Sequence, residues 1–587
     1  MPTLEWIGKD KVVNHHLEVP FRVLERKYSF DENGQHDEDN GSENMIIRGD
    51  NLEALKALLP RYEGRVKCIY IDPPYNTGNE GWVYNDNVND PKIKKWLGEV
   101  VGKEGEDLTR HDKWLCMMYP RLKLLQKLLT DDGVIFISID DNELYNLKAI
   151  CDEIFGANCF ISNISWQRTY SKRNDSKGIP VEVEHILTYS KLALWKPKRL
   201  PRTIDMDELY SSQDGDPREW SSVTISAPGA ATHQGMVYAI QHPITGELLY
   251  PPAGRCWSFG QSQMLECMNE WTSYELRKIN DYAKRSELCG SERGVSSDVC
   301  AIMLKKPFEE AKSEALYRYE QGISKEKPWP LLYFTGKGKG GLRRKQYLDS
   351  SAGKIATNLW LHTDTGHTGE AANELAGIFN GRSPFDTPKP TRLIERILQI
   401  ASEPDSIILD SFSGSGTTAH AVLNMNKADG GKRKFILVEM MDYADSITAE
   451  RVRRVIHGYG EGKKAVEGTG GSFGFYELGE PLLIGDCLNE AVGTEKIREY
   501  IWFTETKRPY APPRGGNPYY LGENNHTGYY FYYEPDRMTV LDYAFLSTIT
   551  EKTEGAVIYA DRCAISQDKL VEMEIMFKKI PRDISKL

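Results

Sequence analysis

"YIDPPYNTGNE", residues 70 to 80, ends a strand in a way that asks for a reason. The residues before it, "VKCIY" from Val66 to Tyr70, are β-branched and aromatic enough for a buried strand. They run into an acid, two prolines and a tyrosine. Prolines stop a strand at low cost, because they donate nothing to the ladder and fix the backbone that follows. A plain strand stop with a polar turn is therefore one reading. The other takes Asp72, Pro73, Pro74 and Tyr75 as a rigid ledge carrying one acceptor, one exposed carbonyl and one aromatic face. Open α/β sheets bind ligands at the carboxyl ends of their strands. A flat ring with an amino group suits such a ledge, stacked on Tyr75 with its amino hydrogens aimed at Asp72 and the Pro73 carbonyl.

The 587 residues allow three or four domains, and 40% apolar with 27% charged residues is an ordinary water-soluble composition. No apolar run approaches the roughly 18 residues of a membrane span. "MPTLEWIGKDK" lacks the apolar core of a signal peptide. The expectation is a cytoplasmic protein with no membrane partner. The ten cysteines include no C-x-x-C pair, so neither a metal site nor a disulfide framework is signalled. A net charge of −11 argues against nonspecific coating of nucleic acid and leaves room for a local basic groove. Residues 163 to 203, with Lys172 and Arg173, hold nine basic residues against three acids. In "TGKGKGGLRRKQY", residues 335 to 347, Lys337, Lys339, Arg343, Arg344 and Lys345 lie in a glycine-rich loop without an acid. Each stretch reads either as solvated surface or as a set of phosphate contacts.

Residues 1 to 44 end in the polar run "DENGQHDEDNGSEN", read as an exposed loop or linker. "MIIRGDNLEALKALLPRYEG" reads as a strand and a helix, with Asp50 and Glu53 at capping-box spacing. A helix through "WLCMMYPRLKLLQKLL" and a strand in "DDGVIFISIDDNE" follow. Strands alternating with helices mean a mostly parallel, doubly wound α/β sheet. The rhythm fades between about 200 and 350 and returns at "PKPTRLIERILQIASEPDSIILDSFSGSGTTAHAVLNMN" and "KFILVE". The glycine-rich residues 458 to 474 read as a boundary before a separate strand-rich module. In that module Tyr529, Tyr530, Phe531, Tyr532 and Tyr533 would place aromatics on both faces of a strand, either as core or as a protein interface.

In "IILDSFSGSGTTAHAV" a strand ends at Asp410, and a loop with Gly414 and Gly416 enters a helix at Thr417. Glycines there let a ligand approach the backbone and the free N–H groups of the helix. Glu439 ends the next strand, where an acid can hydrogen-bond a ribose. A tight strand-to-helix turn and a dinucleotide site are both open. Against a dinucleotide stand Ala419 at the third glycine position and Phe412 inside the loop, which suits an apolar cofactor edge better than a pyrophosphate.

D-P-P-Y followed much later by D-x-F-x-G-x-G resembles the amino-methyltransferases of DNA in the β arrangement, catalytic half first and cofactor half last. The likeness extends through "GDNLEALKALLPRYEGRVKCIYIDPPYNTGN", "MMYPRLKLLQKLLTDDGVIFISIDDNE", "EHILTYSK" and "PKPTRLI". It covers roughly residues 44 to 200 and 340 to 440, and looks like the modification subunit of a Type III restriction-modification system. The resemblance implies a Rossmann-like methyltransferase sheet with a catalytic half at 45–200, a target-recognition domain inserted at 201–350 and a cofactor half at 351–460. It also implies a C-terminal α+β module at 475–587 for oligomerisation or partner binding.

The implied cofactor is S-adenosyl-L-methionine. Asp410, Phe412, Gly414, Ser415, Gly416 and Thr417 would hold its methionine and ribose side, and Glu439 the ribose hydroxyls. Asp50, with Asn51 beside it, would take the adenine amino group, and Lys389 of "PKP" the methionine carboxylate. The implied partners are double-stranded DNA, a second copy of the chain and a helicase-nuclease restriction subunit. The reaction would be methylation of a flipped adenine at N6, with Tyr75 replacing lost stacking. A stand-alone DNA adenine methyltransferase, an RNA or protein amino-methyltransferase and a DNA-binding subunit without catalysis are the alternatives.

Overall fold

A strand whose side chains are buried on both faces needs a neighbour on each edge and a layer of helices above and below. Residues 66–71 meet that condition, buried at every position except Lys67. The computed structural model describes residues 3–77, 110–170, 178–212, 214, 216–290, 295–321, 329–350, 352–485 and 487–582. They fall into two compact units, 1–198 together with 356–587, and 199–355.

The first unit is built on one mixed sheet. In chain order its strands are β1 (Arg22–Asp31), β2 (Gly34–His36), β3 (Met45–Arg48), β4 (Val66–Ile71), β5 (Leu129–Ile139), β6 (Phe160–Gln167), β7 (Val183–Ser190), β8 (Leu359–Trp360), β9 (Ile407–Asp410), β10 (Lys434–Glu439) and β11 (Phe473–Pro481). In space they run β8-β6-β7-β5-β4-β9-β10-β3-β11-β1-β2. The six central strands from β5 to β11 are parallel. β7 turns antiparallel against β5 on one side, and β1 against β11 on the other. The alternation read from the sequence is thus a mixed α/β sheet with a parallel centre. Its decisive pair is β4 with β9, in register at Cys68↔Ile408 and Ile69↔Leu409.

The helices that matter for the site are α1 (Asn51–Tyr62), α2 (Arg110–Leu128), α3 (Leu144–Phe155), α4 (Thr391–Ala401), α5 (Thr417–Asp429) and α6 (Glu450–His457). α4 shows why they pack: Leu393, Ile394, Ile397, Leu398 and Ala401 recur at helical spacing and are buried, while Arg392 and Arg396 lie off that stripe. Each such leucine or isoleucine contributes about 1.5–3 kcal/mol by leaving water. Leu55, Trp114, Leu122, Ile137 and Ile436, from α1, α2, β5 and β10, meet in one core.

Two boundaries differ from the sequence reading. Within the polar run 31–44, read as a loop or linker, Gly34–His36 form β2, an edge strand paired with β1; β1 itself joins the sheet with Tyr28 and Phe30 stacked on Phe475 and Phe473. The glycine-rich stretch before 475 opens no separate module, since β11 already begins at Phe473 and pairs with β3 and β1 inside the main sheet. Beyond β11 come α7 (Thr494–Thr506) and a four-stranded sheet of Tyr520–Asn524, Thr527–Phe531, Gly555–Ala560 and Ile575–Lys579.

The aromatic run is core. Thr527–Phe531 is paired on both edges. Tyr530 packs with Leu541, Phe545 and Leu570 on one face, and Phe531 and Tyr533 pack with Ile497 and Trp502 of α7 on the other. Two covering layers bury what a single small sheet would leave exposed, which is the core alternative for this run.

In the unit 199–355, a four-stranded sheet and a three-stranded sheet of Trp220–Thr224, Leu332–Phe334 and Leu342–Tyr347 enclose a core around Tyr238, Trp257, Trp271 and Phe334. The stretch expected to be a basic loop is in part the central strand Leu342–Tyr347. That corrects one DNA-contact expectation. Lys345 is 2% exposed, and its ammonium lies 2.6 Å from Asp214 and 3.1 Å from Asp216. Arg343, half-buried, donates to Ser222 Oγ at 2.6 Å, Arg344 is half-buried, and Lys337 and Lys339 are exposed. Lys172 and Arg173 lie outside the described residues. Among the described residues no helix is long and apolar enough to cross a membrane.

Lys345→Ala leaves the buried Asp216 carboxylate without its cation and is expected to destabilise the protein by about 3 kcal/mol in urea unfolding; a loss under about 1 kcal/mol would return the residue to the surface. Tyr530→Ala is expected to cost about 3 kcal/mol, and a near-neutral result would contradict its place in the core.

Candidate active site

β4 delivers Asp72 to the carboxyl edge of the sheet, and β9 delivers Asp410 beside it. The ledge is held from below: Trp114 Nε1 of α2 donates to the Pro74 carbonyl at 2.6 Å. It ends at Asn76, whose φ of 58° is left-handed, a conformation Asn tolerates better than most residues. The Asn76 side-chain amide donates to Glu143 Oε1 and, at 3.2 Å, to the Arg110 carbonyl. Glu143, fully buried, also meets His111 Nδ1 at 2.7 Å and Asn146 at 2.8 Å. A carboxylate at the start of α3 thus fixes the turn after the ledge.

Asp72 and Tyr75 share a cation. Lys389 Nζ lies 2.8 and 2.7 Å from the two Asp72 oxygens and 2.9 Å from the Tyr75 hydroxyl. Tyr75 OH donates to Glu184 Oε2 at 3.2 Å, and Arg168 pairs with Glu184 Oε1. Burial pushes the Asp72 carboxyl up, with Lys389 opposing it. Burial, together with the Asp72 and Glu184 charges, pushes the Tyr75 phenol well above its usual range. Tyr75 is only 7% exposed, so the aromatic face expected at the ledge is covered in this structure.

The glycine turn lies on the next strand. Gly414 and Gly416 take φ of 50° and 79°, and a Cβ on Gly416 would meet Thr448 O at 3.1 Å. Gly414 N donates to Glu439 Oε2 at 2.9 Å and Met441 N to Oε1 at 3.0 Å, so Glu439 braces the turn from the end of β10. Asp410 accepts from Phe412 N at 3.1 Å and Thr418 Oγ1 at 2.6 Å. Its pKa is pushed up to about 7 by burial, against the pull of those two donors. The buried Arg451 of α6 donates to Ser415 Oγ at 3.0 Å and Thr417 Oγ1 at 2.7 Å, and reaches Thr391 and His420. Burial, then Arg451, depresses the His420 imidazole.

Two links join the halves. The Lys389 carbonyl accepts from Thr417 Oγ1 at 3.2 Å while its ammonium sits on Asp72. Asn51 Nδ2 donates to the Ser411 carbonyl at 3.2 Å, and its oxygen accepts from Arg121. Asp50 caps α1, accepting from Leu52 N at 2.8 Å and Glu53 N at 3.3 Å, and its other oxygen takes Arg121 at 3.2 Å. Asp50 thus caps α1, and the Lys389 ammonium lies on the ledge acid.

Asp72, Pro73, Pro74, Tyr75, Lys389, Asp410, Phe412, Gly414, Ser415, Gly416, Thr417 and Glu439 thus gather on neighbouring strand ends. Sequence reasoning passed over Glu184, Arg168, Arg121, Glu143 and Arg451. Glu184 opens "EHILTYSK" and Arg121 lies in "MMYPRLKLLQKLL", both segments of the family likeness, and an acid or arginine among apolar residues was the available signal.

Fold and site define the class: a mixed α/β protein in which an acid-proline-proline-tyrosine strand end and a glycine turn meet on adjacent parallel strands. The chain belongs to the DNA methylase family, whose model matches residues 66–501. It is 31% identical over 479 residues to the Type III restriction-modification enzyme StyLTI Mod subunit of Salmonella typhimurium, covering 77% of this chain and 62% of that protein. It is 30% identical to the EcoP15I Mod subunit of Escherichia coli, covering 78% and 66%. It is 29% identical to the Type II methyltransferase M.KpnI of Klebsiella pneumoniae, covering 68% and 81%. The chain thus spans just under two thirds of the length of the two Mod subunits.

Asp410 generates a pH prediction. Its carboxyl titrates near 3.9 in an unfolded chain and is raised to about 7 in the fold. A raised carboxyl stabilises fully below the lower value, and that contribution is lost as pH rises through the upper one. Wild type is therefore expected to lose stability relative to Asp410→Asn between about pH 4 and 7. Urea midpoints at pH 5 and pH 8 that differ by the same amount would contradict this.

Proposed function

We propose that the chain transfers a methyl group from S-adenosylmethionine to N6 of an adenine flipped out of duplex DNA, as the modification subunit of a Type III restriction-modification system. The observation that carries this reading is the pairing of β4 with β9, which brings the ledge and the glycine turn to one sheet end. The similarity to two Mod subunits supports the system, and with it a restriction subunit as partner. A second copy of the chain rests on the family resemblance. The compact unit 199–355, lying in the chain between β7 and β9, supports a target-recognition domain inserted in a circularly ordered sheet. Arg343, Arg344, Lys337 and Lys339 are the side chains of that unit proposed for DNA phosphates. The similarity to M.KpnI favours a second reading, a methyltransferase that works without a restriction partner.

The turn fits the cofactor. The Ser411 and Ser413 hydroxyls are buried without a hydrogen-bond partner, and the left-handed glycines keep side chains away from the backbone. Phe412, Gly414, Ser415 and Gly416 are proposed to hold it, with Glu439 toward the ribose. When bound, it supplies an electrophilic methyl group. The chain's own part is to make an aromatic amine nucleophilic. Asp72 and the Pro73 carbonyl each accept one amine hydrogen, which lets the nitrogen pyramidalise and aims its lone pair. Asp72 also stabilises the positive charge that develops there, and once the methyl is in place the nitrogen passes its extra proton to the Asp72 carboxylate, which already accepts that N–H.

Tritiated methyl transfer offered duplex DNA, RNA and protein tests the reading; label is expected in adenine of duplex DNA, and label only in RNA or protein would overturn it. Asp72→Ala is expected to slow transfer by about 10³-fold, while calorimetry finds cofactor affinity within about threefold. Affinity lost together with activity would mean that Asp72 serves the cofactor and not the target amine.

A further inference from the structure

The Lys389 ammonium has three N–H donors, and all three are engaged: two on Asp72 Oδ1 and Oδ2, one on the Tyr75 hydroxyl. It therefore lies across the open edge of the carboxylate that the methyltransferase reading offers to the target amine. A buried ammonium cannot simply leave, because removal from its counter-ion strands a charge in the interior. The structure provides a second anion. Glu184 Oε2 lies 3.7 Å from Lys389 Nζ, just outside hydrogen-bond reach, and accepts from the Tyr75 hydroxyl at 3.2 Å. Its other oxygen is held by Arg168, and Glu184 is 5% exposed.

We infer that Glu184 is a positioning residue that receives the Lys389 ammonium and thereby uncovers Asp72 for the target amine. The inference rests on the methyltransferase reading. A movement of roughly 1 Å brings Nζ from 3.7 Å into the ordinary hydrogen-bond range with Glu184. The Lys389 main chain stays put, anchored through its carbonyl to Thr417, so the flexible four-carbon stem carries the motion. Tyr75, bonded to both Lys389 and Glu184, keeps contact with the ammonium in either position. The site remains neutral throughout: Lys389 and Arg168 balance Asp72 and Glu184, and only the pairing changes. Without the Glu184 charge the ammonium has one anion, and it stays on Asp72.

A double-mutant cycle in the full chain tests this, with Glu184→Gln, Lys389→Met and both together. The binding readout is the affinity ratio between a duplex carrying adenine at the target and one carrying purine, which lacks the amine. Single-turnover methylation is read beside it, and cofactor affinity is measured by calorimetry. Glu184→Gln is expected to shrink the adenine preference roughly fivefold and slow transfer roughly tenfold, with cofactor affinity within about twofold. In the Lys389→Met background the same substitution is expected to change neither. Equal losses in both backgrounds, or no loss in either, would overturn the inference. Should Glu184→Gln not fold, Glu184→Asp, one methylene shorter, is expected to weaken the preference only when Lys389 is present. Failure of the underlying reading shows separately, as wild-type protein that transfers no methyl group to DNA.

Discussion

The parallel ladder between β4 and β9 is the contact on which the rest of the site depends. Cys68 and Ile408, about 340 residues apart in the chain, are paired in register. Neither strand end is a site alone: one presents an acid and a tyrosine, the other a glycine turn. Side by side they form one. A long-range parallel pair is entropically expensive to close, and here it is stabilised by apolar burial, with Ile69 and Leu409 packed in one core with Leu55 of α1 and Leu122 of α2, and Cys68 and Ile408 also buried.

Around that pair lie several ion pairs, each with at least one buried member. Lys389 and Arg168 face Asp72 and Glu184; Arg121 faces Asp50; Arg451 faces Glu374. Such groups stabilise a fold weakly, since desolvation offsets attraction, but removing one partner is costly. What they provide is geometry. Arg121 holds Asn51 against the glycine turn, Glu143 holds the bend after Tyr75, and Arg451 holds the first turn of α5. Several side chains in separate parts of the sequence therefore position a ledge whose own residues span only four positions.

The places where sequence reading failed share one cause. Lys345 reads as surface because it sits among lysines, arginines and glycines, yet strand alternation points it inward at Asp214 and Asp216, acids more than a hundred residues earlier. The tyrosine run reads as too much aromatic surface for one small sheet, until α7 and the segment around Phe545 cover it from both sides. The acidic run after Phe30 reads as a linker, yet Gly34–His36 within it add an edge strand to β1, which is itself held by β11 more than four hundred residues downstream. In each case a local pattern was overruled by a neighbour that no local window contains.

The sequence by itself determined the strand-helix rhythm, the two motifs and their order, because strand stops, glycine turns and apolar periodicity are properties of short segments. Asp72 to Tyr75 and Asp410 to Thr417 were legible for that reason, as was the cap at Asp50. Only the tertiary structure decided that the motifs sit on adjacent strands, that Lys389 lies on Asp72, and that Glu184 stands beside both. Those facts are distances between side chains brought together by folding, and a carboxylate's partner is chosen by proximity in a low-dielectric interior, which spacing along the chain does not encode.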